Sequence, residues 1–371
     1  DETIDANLIA DNRQRLGELE ASYRQLHPTT RFQTSLYPEQ QLEWAIRRRN
    51  RAGLGPDLLL IRGDMALRLL EAGLIAPYPQ TRVDLKLFDP QLLDRLRNPS
   101  GMLAGIPLMM QTQLACYKSG RLTAAPTTIQ QLLETSAKAH PVGLSIEAKN
   151  LFWTAGSLGA VEAIEAAAAG RQPTKAQQQA IERWLTWLQN ASNQQRVTFY
   201  ASQSSAEAEF REGRLDWIPC RSSAIPRLRK ALGNELGVAP LPSGDGGEAS
   251  PINQLMVLSI GTNTSSSSLE RALAFSHFSV NPLTQRNLTL GSQVVLPANR
   301  FVRVPVSSSA TLRAMVTSVQ QGSQINTLIK LMQSNDPRAA EIQTLLTTLV
   351  FGEIPPTKAG QSLVAILRSR P

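Results

Sequence analysis

Histidine is nearly missing from this chain. Its three copies are His27 and His140, each followed by proline, and His277 on a helix face. None has a Ser, Cys or Asp partner in a recognisable catalytic arrangement. No His-Glu-x-x-His, Gly-x-Ser-x-Gly or dense acidic calcium loop is present either. The expected catalytic set is therefore empty, and neither a metal nor a cofactor is expected. Cysteine is as sparse. Cys116 and Cys220 lie too far apart for a zinc knuckle, and no His stands at ligand spacing from either. They form a disulfide in an oxidising compartment, or they are small buried hydrophobes. Long apolar runs are lacking too: none approaches the roughly 20 residues that span a bilayer. An initiator Met is absent, and the opening Asp1-Glu2-Thr3 is the start expected of a chain from which a secretory signal has been removed.

What is present is ample for a folded protein. A length of 371 residues suggests two domains, and 42% hydrophobic with 18% charged residues can build a sizeable core. Lys and Arg outnumber Asp and Glu to give a net charge of +8, which favours acidic surfaces or anionic ligands. The densest basic run, Arg47-Arg48-Arg49-Asn50-Arg51, reads as a cationic helix end with Gly53 as its stop. Without interleaved aromatics it does not point to nucleic acid.

Periodicity then gives an order of elements. Thr3 to Ala10 reads as a strand, Asp11-Asn12 as the cap of a helix with Leu16, Leu19, Tyr23 and Leu26 inward, and Arg31 to Leu36 as a second strand. A helix from Glu39 to Arg51, a strand from Asp57 to Ile61 and a helix capped by Asp64 and ended by Gly73 complete three strand–helix pairs. That alternation is the pattern of a parallel sheet with helices on both faces, whose ligands sit where strands give way to helices. The pattern restarts after residue 118. Thr127 to Gln130 and Thr174 to Gln177 read as capping boxes, Leu215 to Cys220, Leu236 to Pro242 and Asn253 to Ile260 as strands, and Ser307 to Arg368 as a helical tail.

The stretch joining the two halves is Gly101 to Lys118. Its apolar runs, Ile106 to Met110 and Leu114 to Tyr117, suit strands covered on both faces. Between them the triplet Gln111-Thr112-Gln113 is costly in a dry core, since unpaired buried amides cost about 1–3 kcal/mol each. It reads either as a polar bulge in one strand or as a wet crossing from one core to another, with Gln111 to Gln113 at the lip of a cleft.

Several segments in sequence order resemble one family. Gly55-Pro56-Asp57-Leu58-Leu59-Leu60, followed by Glu71-Ala72-Gly73-Leu74-Ile75-Ala76-Pro77, is similar to its "G-PD" strand and its helix ending "EAGLI-P". Gly105-Ile106-Pro107 through Cys116-Tyr117-Lys118 is similar to "GIP … LYYNK", and Pro126 to Leu133 to "P-T-WDELL". Phe210 to Leu215, Val238-Ala239-Pro240-Leu241-Pro242 and Leu296-Pro297-Ala298 resemble "F-x-x-G-K-A", "VAPLP" and "LPA". Together they resemble the extracellular solute-binding proteins of ABC importers, of the maltose-binding-like type.

The resemblance implies an α/β, two-lobed, periplasmic-binding-protein-like fold of type II. Each lobe would be a mostly parallel sheet flanked by helices, with a helical C-terminal tail. One lobe would hold 1–110 and 251–302 and the other 113–250 and 303–371, with hinge crossings near 110–113, 250–253 and 302–304. The implied function is capture of a small solute in an interlobe cleft by hinge closure and delivery to an ABC permease, by a periplasmic or extracellular monomer that is not an enzyme. Sugars, glycosides or polyols are the expected ligands. Aromatics at 5% argue against a long oligosaccharide, and Arg62, Lys149 and Arg221 leave an anionic ligand open. A metal is the remaining ligand alternative, although Tyr-rich iron chemistry is not supported by five scattered tyrosines. An enzyme or a sensory receptor on the same fold is the alternative function. The expected ligand-binding residues are Asn12, Asp64, Gln111, Gln113, Lys149, Asn150, Arg221 and Asn253, with Trp153 as the stacking platform and Tyr37 as a second aromatic choice.

Overall fold

The computed structural model describes residues 13, 16–333 and 336–369. The strand expected over Thr3 to Ala10, its Asp11-Asn12 turn and the ligand residue Asn12 lie outside these. The chain divides into two units, Asp1–Met110 with Gln254–Val304 and Gln111–Asn253 with Pro305–Pro371.

In the first unit, apolar residues three and four apart build a helix over 16–26 that buries Leu19 and Tyr23. The Tyr23 ring meets Phe275 and Phe278 edge-on, each at 5.2 Å. The strand expected over Arg31 to Leu36 does not form; the stretch is irregular, with no strand beside it among the described residues. An extended segment without a ladder partner leaves its backbone groups to other acceptors or to water. The helix Glu39–Arg51 forms as its pattern predicts, with Glu39 in the first turn and Arg48, Arg49 and Arg51 in the last, the charge order a helix dipole favours. Gly53, at φ 68°, takes the left-handed conformation that ends it.

The strands in chain order are β1 (Leu58–Arg62), β2 (Ile75–Ala76), β3 (Ile106–Gln111), β4 (Gln113–Lys118), β5 (Val142–Ser145), β6 (Val197–Tyr200), β7 (Trp217–Arg221), β8 (Leu236–Ala239), β9 (Gln254–Gly261) and β10 (Leu296–Pro297). One sheet has the order β1-β9-β3-β10, with β2 also on β9; the other runs β6-β5-β7-β4-β8. The parallel pairing expected of both sheets holds for β5 with β6 and with β7. β9 runs antiparallel to β1 and β2, and β4 antiparallel to β7 and β8. The physical reason is the chain path. β4 and β9 each enter a sheet straight from the other unit, and without a helical crossover the parallel direction is not imposed. Gly105 marks where β3 meets β9: a Cβ there would lie 2.6 Å from the Leu258 carbonyl oxygen.

The second unit is organised around Trp153, Trp184 and Trp217, all fully buried. The helix Lys175–Ser192 starts on the Thr174–Gln177 capping box that the spacing predicts. Its Trp184 stacks on Phe152 at 5.4 Å and donates its indole N–H to Thr154 at 2.8 Å. The C-terminal helices Pro337–Val350 and Pro356–Arg368 pack on that helix, so the tail closes this unit's core. Cys116 and Cys220, buried on the neighbouring strands β4 and β7, are joined as a disulfide with their Cα atoms 5.7 Å apart.

Candidate functional site

The polar residues expected to bind ligand converge mainly in the second unit, where β4, β5 and β7 end or begin. The antiparallel register of β4 and β7 sets Gln113 opposite Arg221. β5 stops at Ser145, and two residues later Glu147 turns the chain into the short helix Ala148–Leu151, which carries Lys149 and Asn150. Gln343 holds that turn: its side-chain oxygen accepts from the Ala148 N–H at 2.7 Å, and its amide donates to the Ile146 carbonyl at 3.0 Å.

Asn150 is the hub. Its backbone carbonyl accepts from Gln113 Nε2 at 2.9 Å, its side-chain oxygen accepts from Arg221 Nη2 at 3.3 Å, and its Nδ2 donates to Glu147 at 2.5 Å. The same Glu147 oxygen accepts from the Gln203 backbone N–H at 3.0 Å and the Ser145 hydroxyl at 3.2 Å, while Lys149 Nζ lies 4.0 Å from the other. Gln113, Asn150, Lys149 and Arg221, found separately in the sequence, are thus one network around Glu147. Glu147 itself was missed, although it stands at the same kind of strand-to-helix turn that singled out Asp64. Behind Arg221, Glu207 lies 3.7 Å from Arg227. Burial pushes the Glu207 carboxyl up, against the opposing charges of Arg227 and Arg221.

Of the two readings of the triplet, the wet one does not hold for all of it. Thr112 and Gln113 are buried, and only Gln111 is half-buried. Hydrogen bonds to the backbone offset part of the cost, although Thr112 Oγ1 and Gln113 Oε1 are buried with no hydrogen-bond partner among the described residues. The Thr112 N–H donates to Ser222 Oγ at 3.0 Å, the Ser222 N–H to the Thr112 carbonyl at 2.8 Å, and the Gln113 N–H to Asn253 Oδ1 at 3.0 Å. Ser318 completes the knot: its hydroxyl donates to the Gln113 carbonyl at 2.7 Å, and its own carbonyl accepts from Asn253 Nδ2 at 3.0 Å. Both ends of the buried Asn253 amide are engaged, so Asn253 ties the start of β4 to the chain just before β9 instead of presenting itself to a ligand.

Trp153 requires a correction. It is 0% exposed and packs against Trp217, with ring centroids 6.1 Å apart. A ring enclosed on every side has no free face for a sugar, so Trp153 is core. The strand-to-helix position that suggested stacking also begins the apolar face of the helix Trp153–Ser157, every residue of which is buried.

In the first unit Asp64 does not cap the helix Gly63–Glu71; it lies in its first turn and grips Arg62, which ends β1. Arg62 Nε donates to Asp64 at 2.9 Å, Nη2 makes a second bond to the same carboxylate, and Nη2 is 2.7 Å from Glu39. Arg95 is buried near this group; burial pushes its guanidinium down to about 10, with the charge of Asp64 opposing the shift. Tyr37 stands apart, exposed, with its hydroxyl 3.5 Å from Arg49. Among the described residues no group of three or more His, Cys, Asp or Glu is placed to hold a metal, and no helix is long and apolar enough to cross a membrane.

Against this geometry the comparisons are consistent. The family model for bacterial extracellular solute-binding proteins matches residues 21–310. No curated protein matches the chain. Among solved structures, the GacH receptor of Streptomyces glaucescens GLA.O, studied unliganded and with acarbose, superposes with a TM-score of 0.76 at 16% identity, over 97% of this chain and 96% of that one. The maltose-maltodextrin binding protein of Alicyclobacillus acidocaldarius gives 0.70 at 19% identity, over 96% of each chain. The MalE domain of Bdellovibrio bacteriovorus, bound to maltotriose, gives 0.71 at 17% identity, again over 96% of each. The likeness covers nearly the whole length and fixes the fold as that of the two-lobed binding proteins, and the family match across most of the sequence makes this chain a member of the bacterial extracellular solute-binding proteins.

Proposed function

We propose that this chain is the capture component of an ABC importer, working outside the cytoplasmic membrane on a small, neutral, hydroxyl-rich solute of the sugar type. The observation that carries the ligand class is that three of the four cations near the expected site already face carboxylates, and the fourth, Arg221, is engaged by an amide. Arg62 is held by Asp64 and Glu39, Lys149 faces Glu147, Arg221 bonds Asn150, and Arg227 faces Glu207. At Arg62, Lys149 and Arg227 an anionic solute would have to compete with carboxylates already in place. A polyol needs no such exchange, because its hydroxyls both donate and accept at paired amides and carboxylates. The sugar ligands named for the GacH and MalE structures support the same class. The buried disulfide supports an oxidising compartment. Capture by closure about the crossings near 110–113, 250–253 and 302–304, and delivery to a permease, complete the proposal.

Calorimetric titration with neutral mono- and oligosaccharides, and with the matching sugar acids, tests it. A neutral sugar is expected to bind with about −8 kcal/mol, near micromolar. Arg221→Ala is expected to weaken it by about 1.5–3 kcal/mol, the range for a hydrogen bond to a charged group. Tighter binding of the acids would overturn the ligand class, and no sugar binding stronger than about −5 kcal/mol would overturn capture itself.

A further inference from the structure

The helix Glu39–Arg51 buries Ala45 and Ile46 and carries a different chemistry on its other side. There Trp44, Arg47, Arg48, Arg51 and Ala52 line one shallow depression. Trp44 is 63% exposed, in a chain whose Trp153, Trp184 and Trp217 are wholly buried, so core packing does not account for it. Its ring lies under the Arg48 guanidinium at 5.4 Å. Arg47 has a carboxylate neighbour, Glu43 at 3.0 Å; among the described residues Arg48 and Arg51 have no carboxylate within 4 Å. Leu54, just past the helix end and 66% exposed, adds an apolar side chain, its carbonyl occupied by Arg49 at 3.0 Å.

We propose that this face docks the protein onto an anionic phospholipid bilayer. Phosphate headgroups supply counter-charges that Arg48 and Arg51 do not find among the described residues, and guanidinium suits phosphate oxygens. The apolar zone just beneath the headgroups receives the indole and Leu54, and Trp is enriched at that depth in membranes. A soluble polyanion or a nucleic acid would satisfy the arginines alone and leave both apolar groups in water. The net charge of +8 favours the approach. Docking of this kind holds a solute-binding protein in the layer of solvent next to the membrane, and it does not depend on which solute is captured.

Sedimentation of the protein with vesicles of phosphatidylglycerol and phosphatidylcholine, against phosphatidylcholine alone, tests the surface. Binding to the anionic vesicles only, weakened by salt, is expected. Each arginine near a charged surface is worth about fivefold in partitioning, so Arg48→Glu with Arg51→Glu should weaken binding by about 25-fold or more. Arg313→Glu, an exposed charge on the helix Ala310–Gln321, should change it by less than about twofold. Brominated lipids should quench part of the tryptophan fluorescence, and Trp44→Phe should abolish that part. All these positions are exposed, so unchanged thermal melts will show that the variants fold. No binding to anionic vesicles, equal weakening by Arg313→Glu, or binding without bromolipid quenching would overturn the proposal. So would heparin or duplex DNA binding as tightly as the vesicles, which would make this a soluble-polyanion site.

Discussion

A tryptophan near a strand-to-helix turn has two fates, and Trp153 shows how little sequence separates them. Fully enclosed against Trp217, it contributes packing. Trp153→Ala is therefore expected to cost about 3–5 kcal/mol in urea unfolding, the range for deleting a large buried aromatic. A loss below about 1 kcal/mol would put the ring back at the surface. Local pattern could not decide this, because an apolar residue at the start of a helix faces inward or outward according to what covers it. Polar residues were more legible. Gln113, Asn150, Lys149 and Arg221 were each identifiable from their place beside a strand end, and they do converge. Glu147, which joins them, stands at a turn of the same kind as Asp64, and its role depends on Asn150, Gln203 and Ser145 meeting it in the fold. Burial of Thr112 and Gln113 could not be foreseen either, since it depends on Ser222, Asn253 and Ser318, which come from distant parts of the chain.

Between elements, the disulfide and the start of the helix Pro337–Val350 act as ties. Cys116 and Cys220 sit beside the residues that present Gln113 and Arg221, and they close a loop spanning 104 positions. Spacing alone left their pairing open; adjacency of β4 and β7 is what brings them within reach. Replacing both with Ala is expected to cost about 2–5 kcal/mol of stability, much of it through the entropy of the unfolded chain. At the helix start, Asp336 accepts from the Arg338 N–H at 3.0 Å and pairs with its guanidinium, whose Nη1 donates to the Leu367 and Ser369 carbonyls at 2.9 Å each. Burial pushes the Asp336 carboxyl up, but the hydrogen bonds and charge of Arg338 outweigh it and hold the group below its ordinary 3.8. A carboxyl lowered by folding stabilises fully above its unfolded value, and that contribution is lost as pH falls through the folded value. Asp336→Ala should cost about 1–2 kcal/mol at pH 7, as loss of a helix cap does. Asp336→Asn should keep much of the cap while removing this share of the acid loss, read from urea midpoints across the acid range.

For the whole molecule, each unit is assembled from segments far apart in sequence, so neither is complete until the chain has passed between them more than once. That organisation was legible chiefly through the family resemblance; hydrophobic periodicity located strands but not which sheet each joins. The two units also differ in a way that makes them separately observable, because only the second contains the disulfide, both of whose cysteines it supplies. If calorimetry resolves two unfolding transitions, the one lowered by the double Cys→Ala replacement belongs to the second unit. A solute bound by both units should raise both transitions, since occupancy at about 100 times Kd adds about 2.7 kcal/mol to whatever must release it. A sugar that raises only the disulfide-linked transition would mean that the Asn150 network binds alone. In that case Asp64 and its partners would be structural, and capture by closure of the two units would have to be abandoned.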